Sequence, residues 1–125
     1  MVQRIVEEFG KVDILMNGAG GSFKTLYSKL WEQSLENWKL LLDINLTGVF
    51  ICFKAIAPQM IKQGYGNIVN ISSWVGQPGS QAAGFAGYAI TKFGIEGLTQ
   101  LAAAELEEYN IRVNALWPGG NFGRS

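Results

Sequence analysis

The apolar residues of this chain recur at two alternating spacings. Val2, Ile5, Val6 and Phe9 fall at helical intervals and stop at Gly10, which predicts the last turns of an amphipathic helix over residues 1 to 9. The short apolar run Val12-Asp-Ile-Leu-Met16 empties into Asn-Gly-Ala-Gly-Gly, the pattern of a buried strand ending in a turn. Residues 22 to 33 show no period and are expected to form a loop or short helix. Ser34 can cap the helix that follows, with Asn37 where a capping-box side chain would stand and apolar residues from Leu35 and Trp38 through Leu42. A second helical stretch is predicted from Thr47 to Lys62, lightly broken by Pro58 and closed at Gly64-Tyr-Gly66.

Beyond that point Asn67-Ile-Val-Asn-Ile-Ser72 reads as a β-branched strand, followed by a Gly/Pro/Ser-rich loop to Gly84. A long helix fits residues 85 to 109, with Ile90, Phe93, Ile95, Leu98, Leu101 and Leu106 apolar along it. Ile111-Arg-Val-Asn-Ala-Leu-Trp117 is a last strand, stopped by Pro118-Gly119. Apolar strands joined by connections long enough to cross over predict an α/β fold with a three-stranded parallel sheet in chain order, helices on both faces and right-handed crossovers.

At 125 residues the chain suffices for one domain around one core. Its 48% hydrophobic and 16% charged residues belong to a packed globular domain. Ten basic residues balance ten acidic ones, so there is no electrostatic footprint for nucleic acid or an anionic membrane, and neither is expected as a partner. No run of about 18 apolar residues suggests a membrane span. The single Cys52, in Val-Phe-Ile-Cys-Phe, reads as a small core residue that cannot form an intrachain disulfide, which fits a reducing cytoplasm. With no His and one Cys, a His/Cys metal site or a His-based triad cannot be built. Acid/base chemistry falls to Tyr, Lys or carboxylates.

In parallel α/β sheets ligands bind beyond the carboxyl ends of the strands. The residues there are Asn17-Gly18-Ala19-Gly20-Gly21, Ser72-Ser73 and Pro118-Gly119-Gly120. The long helix opens with Tyr88-Ala-Ile-Thr-Lys92, an i, i+4 pair that points both side chains to one side. Such a pair alone is weak, but here it follows a strand-closing Ser73 and, further upstream, Asn45 in Leu-Leu-Asp-Ile-Asn-Leu-Thr-Gly. Ser73 read by itself is equally a turn residue, and the alternative for Asn45 is a helix-end residue that satisfies backbone groups. Asp13 and Asn114 are expected to be structural.

Five segments together resemble the classical short-chain dehydrogenase/reductase family: Val12–Gly20, Asp43–Gly48, Asn67–Ser73, Tyr88–Lys92 and Ile111–Gly119. The resemblance spans nearly the whole chain and implies part of a Rossmann-like, doubly wound parallel sheet. It implies an NAD- or NADP-dependent oxidoreductase that interconverts an alcohol and a carbonyl, with Asn45, Ser73, Tyr88 and Lys92 catalytic. By the same resemblance Asn17, Gly18, Ala19, Gly20, Tyr88, Lys92, Pro118 and Gly119 contact the cofactor. Ser73 would donate a hydrogen bond to the substrate oxygen, Tyr88 would exchange its proton, Lys92 would also bond the ribose, and Asn45 would hold a relay water. A tyrosine phenol ordinarily titrates near 10, so acid/base work near neutrality asks its site for about 4 kcal/mol, part of which a neighbouring ammonium supplies. The family also implies a homodimer or homotetramer through the helices at about 47–62 and 85–109.

The sequence departs from the family pattern in three ways. The Thr-Gly-x-x-x-Gly-x-Gly turn that opens the family's cofactor site is not in it, and Gly18-Ala-Gly20-Gly21 cannot replace that turn because Phe23 stands where a further glycine is needed. Gly18 takes the place of the second Asn in the family's Asn-Asn-Ala-Gly element. The family's last substrate-binding segment is not found after Arg124-Ser125. Residues 1 to 125 are therefore expected to be an incomplete domain whose small-molecule substrate, and choice between NAD and NADP, are unreadable. The alternative expectation is an inactive fold remnant or an oligomerising module.

Overall fold

The computed structural model describes residues 1–22, 28–80 and 82–118. Strands β1 (Ile14–Asn17), β2 (Gly66–Ile71) and β3 (Ile111–Leu116) form one parallel sheet in chain order, as the long connections require. The register aligns Leu15 with Ile68 and Val113, and Asn17 with Asn70 and Ala115. All three strands therefore stop at the same edge. At the opposite end Gln63 takes the place of a strand neighbour for Val12: its Oε1 accepts the Val12 N–H at 2.9 Å and its Nε2 donates to the Val12 carbonyl at 2.8 Å.

Helix α1 (Val2–Phe9) ends at Gly10, whose φ of +84° suits a residue without Cβ. Helix α2 (Leu35–Leu41) starts at Ser34, whose Oγ accepts the Asn37 N–H at 3.1 Å. The helix does not end at Leu42 as expected. It passes through a π-helical turn, Leu42–Thr47, directly into α3 (Gly48–Gln63). Leu35 to Gln63 is thus one run of 29 residues, long and apolar enough by length and composition to cross a membrane, a length hidden when the sequence is read as two helices. It is the crossover between neighbouring parallel strands, with Val49, Ile56, Ala57 and Met60 buried, while Leu35, Phe50 and Ile51 stay exposed. Pro58 lies on its exposed side, where the backbone hydrogen bond that proline cannot make is not buried. Helix α4 (Ala86–Leu106) continues into a 3-10 turn, Glu107–Tyr109, before β3.

The layering differs from the expectation of helices on both faces. Ile56, Ala57 and Met60 of α3 and Ala102 and Leu106 of α4 share one core with Ile68, Ile111 and Val113, and Val2 of α1 packs against the same core. Among the described residues the helices gather on this single face. The side chains that alternate to the other side stay open to solvent, with Ile14 62%, Met16 61% and Leu116 50% exposed. The Leu35–Gln63 run meets α4 along two glycines: a Cβ on Gly87 would lie 3.0 Å from Leu41 Cδ1, and one on Gly94 would lie 2.8 Å from Leu46 Cδ2. Cys52 is half-buried rather than in the core.

Candidate active site

The common edge of the strands gathers the chemistry-bearing residues because every strand ends there. Ser72 prolongs β2, donating its N–H to the Leu116 carbonyl at 2.8 Å. Ser73 follows and starts a 3-10 turn, Trp74–Gly76, in which its Oγ accepts the Val75 N–H at 3.4 Å. That turn lies directly on α4: a Cβ on Gly76 would come within 2.8 Å of Lys92 Cβ, so only glycine permits the approach. Ser72 Oγ donates to the Lys92 carbonyl at 3.4 Å from the other side. Two neighbouring contacts therefore fix Ser73 relative to the helical turn that carries Tyr88 and Lys92.

A cleft of about 280 Å³ is lined by Gly18, Gly20, Ile71, Ser73, Trp74, Tyr88, Lys92 and Pro118 together with Ser72. Lys92 is buried except for its tip; its Nζ donates to the Ile71 carbonyl at 3.0 Å and lies 5.6 Å from the centre of the Tyr88 ring. Burial pushes the Lys92 ammonium below the ordinary lysine value, because desolvation penalises the charged form. A phenol and a hydroxyl facing one cleft, with an ammonium beside the phenol ring, can exchange a proton with one bound oxygen and hydrogen-bond to it. Gly20 leaves room for this: a Cβ there would stand 2.9 Å from Asn45 Oδ1 and 3.7 Å from Lys92 Nζ.

Of the residues singled out from sequence, Gly18, Gly20, Ser73, Tyr88, Lys92 and Pro118 share this cleft. Asn17 is buried beneath it, donating Nδ2–H to Asn70 Oδ1 at 2.8 Å, while Asn70 donates to Thr99 Oγ1 at 2.9 Å. Ala19 faces a neighbouring cavity of about 270 Å³ whose lining includes Asn17, Gly18, Ile44 and Cys52. Gly119 lies outside the described residues. Asn45 stands behind the turn, 0% exposed, within the π-helical segment. Its Oδ1 accepts the Gly21 N–H at 2.9 Å, and its Nδ2 donates to the Gly21 carbonyl at 2.8 Å and to Thr91 Oγ1 at 3.2 Å. Its side chain thus satisfies the backbone of the turn after β1. Asp13 is held at the far end of the sheet by Tyr65 and Lys11, and Tyr65 holds its carboxyl below the ordinary carboxylate value.

Reading the sequence for site residues missed Thr91, Asn70 and Gly76. Asn70 leaves a signal in the alternation of β2, since it shares the buried face with Gly66 and Ile68 and must find partners there. Thr91 lies inside the Tyr88–Lys92 segment but its burial depends on how α4 seats, which the local pattern does not encode.

Sequence and structure comparisons give the family. A profile of the short chain dehydrogenase family matches residues 1–121. The chain belongs to the short-chain dehydrogenase family. A 3-oxoacyl-[acyl-carrier-protein] reductase, FabG, of Staphylococcus epidermidis is 43% identical over 119 residues, which cover 95% of this chain and 47% of that protein. The Thermotoga maritima FabG is 41% identical, with 95% of this chain and 46% of that protein covered. Among solved structures, an NAD+-bound xylitol dehydrogenase superposes with a TM-score of 0.85 at 41% identity, covering 94% of this chain and 44% of the other. ElxO with NADP bound superposes with a TM-score of 0.84 at 34% identity, covering 94% of this chain and 46% of the other. The short-chain dehydrogenase segment seen here thus spans less than half the length of these relatives.

Proposed function

We propose that this chain is the proton-handling part of an NAD- or NADP-dependent oxidoreductase that interconverts an alcohol and a carbonyl, and that residues 1–125 form part of one such domain. The observation that carries the reading is the meeting of Ser73, Tyr88 and Lys92, from two separate stretches of sequence, around one cleft at the carboxyl edge of the sheet. Tyr88 exchanges a proton with the substrate oxygen, Ser73 donates a hydrogen bond to the same oxygen, and Lys92 supplies positive charge beside the phenol. The nicotinamide, when bound, supplies or accepts the hydride. The residues present fit it: Gly18 and Gly20 leave the turn after β1 open to close approach, and Tyr88, Lys92 and Pro118 border the same space. Asn45 holds that turn in place through Gly21.

Likeness to a 3-oxoacyl-[acyl-carrier-protein] reductase and a xylitol dehydrogenase supports a 3-oxoacyl thioester or a sugar alcohol as the substrates to try first. The single half-buried Cys52 and the balanced charge fit a cytoplasmic protein. Phe50 and Ile51 on α3 and Leu101 on α4 are exposed, which supports association of two or four copies through these helices. A second reading, a fold remnant or oligomerising module without turnover, is favoured by the open face of the sheet.

The test is oxidation of NADH or NADPH, followed by absorbance, with a 3-oxoacyl thioester and a ketose as substrates, beside calorimetric titration of each nucleotide. In a domain completed with the glycine-rich cofactor half, Tyr88→Phe is expected to abolish turnover and to change nucleotide affinity less than about threefold, because it removes the transferable proton but little binding surface. Turnover that survives Tyr88→Phe refutes the role given to Tyr88. Residues 1–125 do not include the glycine-rich cofactor turn, so weak nucleotide binding and no useful turnover are expected of them alone; absence of turnover after they are joined to the glycine-rich half of a relative favours the second reading.

A further inference from the structure

Thr91 is fully buried between the two candidate catalytic residues of α4. Its Oγ1 donates to the Tyr88 carbonyl at 2.7 Å and accepts from Asn45 Nδ2 at 3.2 Å. A hydroxyl has one proton to give. Since that proton goes to the Tyr88 carbonyl, the oxygen is left as an acceptor and can face only the NH2 end of the Asn45 amide. The hydroxyl therefore holds the amide in the one orientation that the Gly21 backbone also accepts. In that orientation Asn45 Oδ1 meets the Gly21 N–H and Nδ2 meets the Gly21 carbonyl. Turned over, the amide would set like against like at both partners.

We propose that Thr91 is a positioning residue that orients the Asn45 amide and, through it, ties the Gly20-Gly21 turn to the helical turn of Tyr88 and Lys92. The inference rests on the function proposed above. The chain of bonds joins the three elements that carry the candidate residues: the turn after β1, the π-helical segment and α4. Beside the backbone N–H and carbonyl of Gly21, the Asn45 amide meets the side chain of Thr91.

The experiment compares Thr91→Val, which keeps the shape and removes the hydroxyl, with Thr91→Ser, which keeps the hydroxyl, and with Thr91→Ala in case the valine variant does not fold. Amide hydrogen exchange of Gly21 is followed by nuclear magnetic resonance, with Ile68 as an internal reference in the core. Thr91→Val and Thr91→Ala are expected to accelerate exchange at Gly21 relative to Ile68 by about tenfold or more, the size of one unsatisfied buried donor, and Thr91→Ser by less than about twofold. At saturating nucleotide, kcat is expected to fall about tenfold in the variants without a hydroxyl while KM for the carbonyl substrate changes less than about threefold, with serine restoring kcat. Equal acceleration at Gly21 and Ile68, or a serine variant that behaves like valine, overturns the proposal, as does an unchanged kcat with a lowered melting temperature. If the domain completed with a relative's glycine-rich half shows no turnover, the function proposed above fails by itself and the exchange ratio alone decides the role of Thr91.

Discussion

Along β2, Ile68 is fully buried and Val69, one residue on and turned to the other side, is only half-buried; in β1 the same alternation separates Leu15 from Met16. The covered face has α1, α3 and α4, a shared apolar core and a buried Asn17–Asn70–Thr99 relay. The open face presents Ile14, Met16, Arg112, Asn114 and Leu116. One pleated sheet thus holds together from one side, and the stability of this chain depends on half of the strand residues. The open side retains the apolar content of a buried one, which makes Ile14 and Met16, on the unpaired edge of β1, the natural place for unwanted association.

Ile68→Ala is the sharpest way to break the covered face. It removes a fully buried side chain between Leu15 and Val113 in the register, and is expected to cost about 3 kcal/mol in denaturant unfolding. Met16→Ala, on the open face, is expected to cost less than about 0.5 kcal/mol, and Met16→Lys to reduce self-association in light scattering without lowering the melting temperature. Equal costs for Ile68→Ala and Met16→Ala would mean that the open face is covered in solution.

A smaller effect tests how tightly α3 sits on the covered face. A Cβ on Gly66 would lie 2.7 Å from Met60 Cγ, so Gly66→Ala overpacks the site and is expected to cost about 2 kcal/mol. In a Met60→Ala background the same change should cost less than about 1 kcal/mol, and the difference is the coupling measured by the double-mutant cycle. Strict additivity would show that Met60 is not what Gly66 accommodates.

The smallest expected effect concerns Lys92, the one cation buried among the described residues. Burial lowers the folded-state pKa of Lys92 below the ordinary 10.5, so between that lowered value and 10.5 the unfolded chain holds a proton that the folded chain has released. Stability then rises with pH across that window and is lost as pH falls through the lowered value, below which the penalty is constant. Denaturant midpoints of the unmodified protein and of Lys92→Met, taken over a pH series, should diverge in favour of the unmodified protein as pH approaches 10.5. Parallel midpoints across the window would contradict the desolvation of Lys92.

The strands and the long helices were legible in the sequence because each carries a clean signal: β-branched runs at Ile68–Ile71 and Ile111–Val113, glycine stops at Gly10 and Gly64, and a capping serine at Ser34. The cleft was legible through Ser73, Tyr88 and Lys92, whose types and order announce it. What was hidden depends on tertiary placement. The join of α2 to α3 has no local marker, since Asp43-Ile-Asn45 reads as a helix end as easily as a widened turn. The one-sided layering was hidden too, because Ile14 and Met16 are as apolar as buried residues and only the position of the helices leaves them exposed. Gly87 and Gly94 carry no side-chain signal of their own, yet they are what lets Leu41 of α2 and Leu46 approach α4.

The widened turn at Leu42–Thr47 also constrains how this segment can vary in length. A π-helical turn amounts to one residue more than a regular helix would use, and one residue is about 100° of rotation. Trp38 and Leu41 before it face Gly87 of α4, while Ile56 and Met60 after it face the sheet. Removing a single residue between 42 and 47 would leave an unbroken and locally better helix whose two ends no longer agree in phase. Either the contact at Gly87 or the seat on β2 would be lost, and Asn45 would swing away from Gly21. In this stretch the reading frame of the helix, more than its composition, is what the fold holds fixed.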